Sequence, residues 1–157
     1  YQTGEKIPAD LVQKIIDSGN FLSGHSFVRQ ISFGLNDMTW HSVTEPVNKS
    51  VSEFEDEAMA STEMFDLVQE SCMSTSFSHI FAGGYAAGYY GYKWAEVLDA
   101  DAFEALKENG IYDKNTADSF RENVLERGGS EHPMDLYLKF RGKEPSIEPL
   151  LKRSGLK

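Results

Sequence analysis

The segment from Phe77 to Trp94, FSHIFAGGYAAGYYGYKW, combines one histidine, a glycine pair and four tyrosines within eighteen residues. A tyrosine hydroxyl is a neutral hydrogen-bond donor at pH 7 and can face a developing negative charge. Tyr85, Tyr89 and Tyr92 stand at positions i, i+4 and i+7, so helical geometry would bring their hydroxyls to one side. The spacing alone slightly favours an aromatic core stripe that continues to Trp94 and Val97, and it also suits a clamp for an oxyanion or a substrate carbonyl.

The glycine pair Gly83-Gly84 supports the interpretation as a ligand-facing loop. Two consecutive glycines let a backbone approach a ligand closely, and core packing ahead of a helix does not require them. An attacking group is not evident. Cys72 lies beside a predicted helix end rather than a helix start, where a thiolate is favoured. Ser130 in GGS lacks the strand-to-helix elbow of the serine hydrolases, and the glycines form neither G-x-G-x-x-G nor a P-loop.

The histidines do not predict a metal site within this chain. A zinc peptidase places two histidines one helical turn apart in His-Glu-x-x-His, with the glutamate as base. None of the four histidines stands in that motif: His25, His41, His79 and His132. The donor pattern alone therefore predicts half of a hydrolytic site.

Size and composition predict one helical domain over residues 1–157. A net charge of −10 disfavours nucleic acids and anionic membranes as partners. The single cysteine excludes an internal disulfide and favours a reducing compartment such as the cytoplasm. An apolar run of about eighteen residues is lacking, so a membrane-spanning helix is not predicted. Because the chain opens in polar sequence without methionine, we expect a piece of a longer protein.

Apolar residues recur with helical spacing along nearly the whole chain, and the alternation typical of strands is absent. We therefore predict an all-α fold of six to eight helices. The expected helices begin near Pro8, Ser23, Ser50 or Ser52, Ala86, Thr116 or Asp118, Pro133 and Ser146, and the ends include Gly19, Val43, Glu108, Gly128-Gly129 and Gly155. The predicted helix that begins at Ser23 carries an apolar row formed by Phe27, Ile31, Leu35 and Met38. Gly34 lies within this row and indicates a close approach by another helix.

Four segments resemble the zinc oligopeptidases of the thimet oligopeptidase, oligopeptidase A and peptidyl-dipeptidase family. The glycine–tyrosine run, together with RGGSEHPMDLYLKFRGKEPSIEPLLKRSGL, is similar to the end of those enzymes. The opening YQTGEKIP and the segment FVRQISFGLNDMTWH are similar to the region just downstream of their zinc site. The likeness is collinear over essentially the whole chain.

The resemblance implies the C-terminal, multi-helix portion of the helical catalytic domain of a zincin-type oligopeptidase. In that family the His-Glu-x-x-His helix and a third glutamate ligand precede the region that this chain matches. Zn²⁺ and the general base would then belong to the full-length parent, with no metal bound by this chain. A zinc-bound water activated by that glutamate would attack the peptide carbonyl.

The resemblance also implies roles for residues of the glycine–tyrosine run. Tyr92 would hydrogen-bond the scissile carbonyl as it becomes an oxyanion, which makes it the expected catalytic residue. Tyr85 and His79 would hold the substrate beside it, and we place Tyr89 in the same substrate-binding group. Gly83 and Gly84 would form a flexible loop that closes on the peptide.

The function implied is hydrolysis of short peptides, as an oligopeptidase or a peptidyl-dipeptidase, by a parent enzyme of which this chain is the C-terminal substrate-binding portion. We expect the isolated chain to be inactive. Its partners would be short peptides and the N-terminal remainder of the same enzyme. Two alternatives stay open. A non-catalytic helical module would bind peptides without metal, and a structural helical domain would bind none.

Overall fold

The computed structural model describes residues 2–66, 68 and 70–157, and all regular structure in those ranges is helical. The α-helices in chain order are α1 (Ala9–Gly19), α2 (Ser23–His41), α3 (Val51–Met59), α4 (Ser78–Phe81), α5 (Gly91–Asn109), α6 (Lys114–Phe120), α7 (Pro133–Arg141) and α8 (Glu148–Arg153). A 3₁₀ turn, Ala60–Thr62, follows α3, and a π-helical turn, Arg121–Leu125, follows α6. The prediction of an all-α fold is confirmed.

The chain divides into two compact units, Tyr1–Lys93 and Trp94–Lys157. The part of the glycine–tyrosine run between α4 and α5, residues 82–90, is called the glycine–tyrosine loop below. It lies at the end of the first unit. That the whole chain acts as a single domain stays a prediction. Within the described residues, none of the helices is both long enough and apolar enough to cross a lipid bilayer.

Helix α2 buries a polar face rather than its apolar row. The residues buried along it are Ser32, Gly34, Asn36 and Asp37. In contrast, three residues of the apolar row are exposed: Ile31, Leu35 and Met38. The reason is tertiary, because the buried amide and carboxylate bind two other segments of the first unit.

The first of these segments is the turn around Ser74. The Asn36 side-chain amide donates to Ser74 Oγ over 2.9 Å, and the Trp40 indole N–H donates to the same hydroxyl over 2.9 Å. The buried carboxylate of Glu55 on α3 accepts from the backbone N–H of Met73 over 2.8 Å, and also from that of Ser74. This turn precedes α4, so these contacts set where the glycine–tyrosine segment begins.

Side-chain caps explain several helix starts. Ser50 caps α3 in a capping box with Glu53, as one of the two predicted alternatives requires. The start of α6 was predicted at Thr116 or Asp118 and is wrong. Asp113 Oδ2 accepts from the Thr116 N–H over 2.7 Å, and the helix therefore begins at Lys114.

The predicted start of the long helix at Ala86 is also wrong. Helix α5 begins at Gly91, and the preceding residues form successive turns. The difference matters for function, since Tyr85 and Tyr89 lie outside the helix that was expected to align them with Tyr92.

The second unit is held by a buried polar group as well as by its apolar residues. Tyr137 donates to Asp101 Oδ2 over 2.6 Å, and Arg141 Nε donates to the same oxygen over 3.2 Å. Arg141 also forms a two-bond pair with Glu108, at 2.8 and 2.9 Å. Burial and the contact with Asp101 raise the pKa of Tyr137 above its ordinary value. The apolar residues buried in this unit are Ala100, Ala102, Ala105, Leu136 and Leu150.

Candidate functional site

The glycine–tyrosine loop leaves α4 through a tight exit. Ala82 N–H donates to Ser78 O over 2.7 Å and ends the helix. A Cβ on Gly83 would lie 3.0 Å from the carbonyl oxygen of His79, a tighter contact than most side chains make, so any other residue would push against the α4 backbone. Gly84 has φ +80, in the left-handed region that glycine adopts without strain. The glycine pair thus turns the chain away from α4 next to His79.

Consecutive turns then carry the chain from Tyr85 to α5. Gly88 N–H donates to Tyr85 O over 2.8 Å, and Tyr92 N–H donates to Tyr89 O over 3.2 Å. Ala87 has φ +53, an unfavourable conformation for a residue with a side chain. The Asp37 carboxylate on α2 supports it, because Oδ1 accepts from the Ala87 N–H and Oδ2 accepts from the Tyr89 N–H, each over 2.9 Å.

Three predicted site residues form one aromatic stack despite the missing helical turn. The His79 ring lies 5.4 Å from that of Tyr85 at 27°, and Tyr85 lies 5.1 Å from Tyr92 at 22°. His79 is exposed, and Tyr85 and Tyr92 are 38% and 41% exposed, so a ligand can reach all three. The stack presents one imidazole and two phenol hydroxyls along an open surface.

Tyr89 is placed differently from the other predicted residues. Its ring packs against Tyr92 at 5.2 Å, edge to face. Its hydroxyl donates to Gln30 Oε1 on α2 over 3.0 Å, which ties that donor inside the protein. Burial raises the pKa of Tyr89. The structure therefore brings the Tyr89 ring to the cluster while its hydroxyl serves the loop's attachment.

The state of Tyr92 suits a hydrogen-bond donor. The hydrogen bond with the Tyr85 side chain, and to a smaller extent burial, raise the pKa of Tyr92 above its ordinary value. The hydroxyl consequently keeps its proton at neutral and moderately alkaline pH. Because each phenol has a single O–H, a pair joined by one hydrogen bond leaves one hydroxyl proton for a carbonyl oxygen, and the second becomes available when that bond opens.

Sequence reasoning missed Asp37 and Gln30, both of which attach the loop to α2. Asp37 is fifty residues from Ala87 in the chain, and Gln30 is fifty-nine from Tyr89. Neither stands in a local motif. Only the burial of a polar helix face could have indicated them, and that burial is a property of the fold.

Metal ligation is not provided by the residues described. Within the described ranges, no group of three or more histidine, cysteine, aspartate or glutamate side chains is arranged to hold a metal ion. The donor set of the aromatic stack, one imidazole and two phenols, also does not fit the ligands of a catalytic zinc. A zinc ion would therefore need ligands beyond these residues.

The exposed imidazole and phenols of the stack are groups that can hydrogen-bond a ligand. The sequence profile described as Peptidase family M3 matches residues 1–156. The chain belongs to this peptidase family.

Individual relatives agree with that assignment. The chain is 42% identical over 158 residues to oligopeptidase A of Escherichia coli, covering 100% of this chain and 23% of the relative. It is 42% identical over 161 residues to the probable cytosolic oligopeptidase A of Arabidopsis thaliana, covering 99% and 23%. It is 40% identical over 157 residues to dipeptidyl carboxypeptidase of Salmonella typhimurium, covering 98% and 23%. The chain thus spans less than a quarter of the length of these relatives, and the resemblance to oligopeptidases seen in the sequence is confirmed.

Proposed function

We propose that this chain is the C-terminal substrate-binding portion of a zinc metallopeptidase that hydrolyses short peptides. Residues 77–94 would form one wall of its substrate cleft. The observation that carries the proposal is the stack of His79, Tyr85 and Tyr92 at the surface, with the Tyr92 hydroxyl kept protonated. Family membership and relatives named oligopeptidase A and dipeptidyl carboxypeptidase support peptide hydrolysis.

In this proposal Tyr92 donates a hydrogen bond to the carbonyl oxygen of the scissile peptide bond. As the carbonyl carbon becomes tetrahedral, negative charge grows on that oxygen, and the hydrogen bond from Tyr92 therefore strengthens. Tyr85 supports the same oxygen or a neighbouring carbonyl, and its contact with Tyr92 raises the pKa of Tyr92. His79 flanks the stack and binds substrate backbone.

Zinc would supply activation of the attacking water, and its ligands would come from the N-terminal remainder of the parent. We propose that the isolated chain neither binds zinc nor hydrolyses peptides. The backbone turn at Gly83-Gly84 would let the wall move onto a bound peptide. A cytoplasmic location completes the proposal, supported by the cytosolic oligopeptidase A among the relatives.

A second candidate, a non-catalytic peptide-binding module, is favoured by one observation. The described residues include the exposed stack of His79, Tyr85 and Tyr92 and no cluster of three or more metal-ligating side chains. Such a module would bind peptides whether or not zinc is present.

Two measurements test these functions. Titration of a fluorescent oligopeptide with the isolated chain should saturate if the wall binds peptide, and no binding would favour a purely structural domain. Cleavage of a quenched fluorescent peptide by the full-length protein, lost on chelation and restored by Zn²⁺, would support the peptidase. Full-length protein that binds the peptide but cleaves none with zinc present would favour the module.

A further inference from the structure

We infer that Asp37 is the positioning residue of the tyrosine loop, holding the Tyr92 hydroxyl where the oxyanion forms. The inference rests on the proposed function of Tyr92. Asp37 itself would touch neither substrate nor metal.

The geometry around Asp37 is that of a complete carboxylate anchor. Its side chain is fully buried, with 0% exposure, on the face of α2 that meets the loop. Oδ1 accepts from Ala87 N–H and Oδ2 from Tyr89 N–H, so the two oxygens hold two backbone positions of the same turn. His41 Nδ1 lies 2.8 Å from Oδ1, one helical turn further along α2. A buried carboxylate with both oxygens engaged fixes a loop more rigidly than a neutral side chain does.

The anchored backbone leads directly to Tyr92. Tyr92 N–H donates to Tyr89 O over 3.2 Å, and the rings of these two tyrosines pack edge to face at 5.2 Å. Tyr89 is also fixed at its hydroxyl by Gln30. A displacement of the Tyr89 backbone would therefore shift the Tyr92 ring, although Asp37 is not in contact with the substrate-facing side of the stack.

Asparagine cannot replace this aspartate without loss. An amide side chain has one acceptor oxygen, and its NH₂ group would face one of the two backbone N–H groups in either orientation. Asp37→Asn therefore removes one anchor point at nearly constant volume. Ala87 has an unfavourable backbone conformation, with φ +53, so the loop should relax to another conformation when one of these two hydrogen bonds is lost.

Asp101 offers a matched control. It is also buried, at 1% exposure, and lies in the second unit. Its bonds to Tyr137 and Arg141 both use Oδ2, whereas Oδ1 has no partner among the described residues. Asp101→Asn can keep both bonds through one oxygen, so it removes a buried charge without releasing a loop.

The test is a double-mutant cycle in the full-length protein with a quenched fluorescent peptide as substrate. We expect Asp37→Asn to lower kcat between about ten- and one-hundred-fold, as for a small misplacement of a reacting group, with KM changed less than kcat. In the Tyr92→Phe background the same substitution should lower kcat by less than about threefold, because the hydroxyl that it positions is already absent. Asp101→Asn should leave kcat within about twofold of wild type.

The outcomes distinguish a failure of the Asp37 positioning role from a failure of the proposed function of Tyr92. If Asp37→Asn slows the Tyr92→Phe enzyme by the same factor as the wild type, or leaves kcat unchanged, the positioning role is overturned while the function of Tyr92 stands. A Tyr92→Phe effect of less than a few-fold overturns the proposed function and this inference with it.

A measurement on the wild-type protein covers the case in which Asp37→Asn does not fold. Hydrogen exchange resolved to single amides should show Ala87 and Tyr89 protected, because both amides are bonded to the buried carboxylate. Exchange of both at the rate of an unprotected amide would overturn the inference.

Discussion

The rings of Tyr85 and Tyr92 are stacked, with centroids 5.1 Å apart and planes inclined by 22°. The two residues are seven positions apart, the spacing that a continuous helix would also bring together, yet no helix joins them. Turns anchored on Asp37 produce the same proximity. The loop can therefore carry two adjacent phenol donors without the rigidity of a helix.

Tyr92→Phe in the full-length protein should lower kcat by about two orders of magnitude, the effect of removing one oxyanion donor. KM should change less, because the donor acts chiefly in the transition state. Steady-state peptide cleavage measures both constants. Tyr90→Phe is the matched control, since Tyr90 is a neighbouring exposed tyrosine outside the stack. Equal effects of the two substitutions would contradict the assignment.

Tyr85→Phe should move the titration of Tyr92 to lower pH. The contact with the Tyr85 side chain is the largest cause of the raised Tyr92 pKa, so its removal lets the phenol ionise at lower pH. Ionised Tyr92 cannot donate, and the alkaline fall of kcat that depends on it should move in the same direction. The pH profile of kcat, together with phenolate absorbance, measures this shift. A profile that moves to higher pH would contradict the proposed contact.

Tyr89→Phe should act on stability more than on chemistry. The substitution removes a part-buried hydrogen bond to Gln30, which costs about 1 kcal/mol of unfolding free energy. Its kcat should fall less than that of Tyr92→Phe, because the hydroxyl faces α2. Urea unfolding and peptide cleavage of the same preparation separate the two effects. A loss of activity as large as that of Tyr92→Phe would place the Tyr89 hydroxyl on the substrate instead.

Gly84→Ala should destabilise the loop by about 1–2 kcal/mol, the cost of a left-handed conformation with a Cβ. The cause is conformational, because a Cβ there would meet nothing within 4 Å. Gly91→Ala is the control, since its Cβ is equally free and its φ is not positive. Urea unfolding midpoints of the two variants test this, and equal midpoints would show that the backbone at residue 84 differs from that described.

Tyr137 should give the second unit an alkaline-sensitive stability. Its pKa is raised in the folded state, so the folded protein holds the phenol proton more tightly than the unfolded chain does. The stabilising contribution is full below about pH 10 and is lost as the pH rises through the folded-state pKa. Above pH 10, the midpoint temperature of thermal unfolding should fall more steeply with rising pH for wild type than for Tyr137→Phe, which lacks the titrating group. Parallel curves would contradict this.

The sequence predicted the helical class and most helix positions, because spacing and caps are local properties. Pro133 and Ser50 mark helix starts by their own chemistry, and both predictions agree with the structure. The start of α5 was not predictable in the same way. Residues 86–90 have helical spacing, but a carboxylate fifty positions away takes two of their N–H groups.

In the candidate site, too, local features were predictable from the sequence and tertiary contacts were not. His79, Tyr85 and Tyr92 were predicted as a group, and the structure places their rings together. Asp37 was not predicted, because an aspartate on a helix that also carries an apolar row usually faces solvent. Its burial follows from which face of α2 the loop covers, and residue spacing alone does not state that.

The polar face of α2 also limits where residues can be inserted into or deleted from the chain. Each residue removed from a helix rotates the side chains beyond it by about 100°. A single deletion between Gln30 and Asp37 would keep the Tyr89 hydroxyl bound while swinging the carboxylate away from the loop. Insertions and deletions should therefore be excluded from residues 30–37 and be tolerated in connections such as that between α2 and α3, where chain length can vary without rotating one anchor relative to the other.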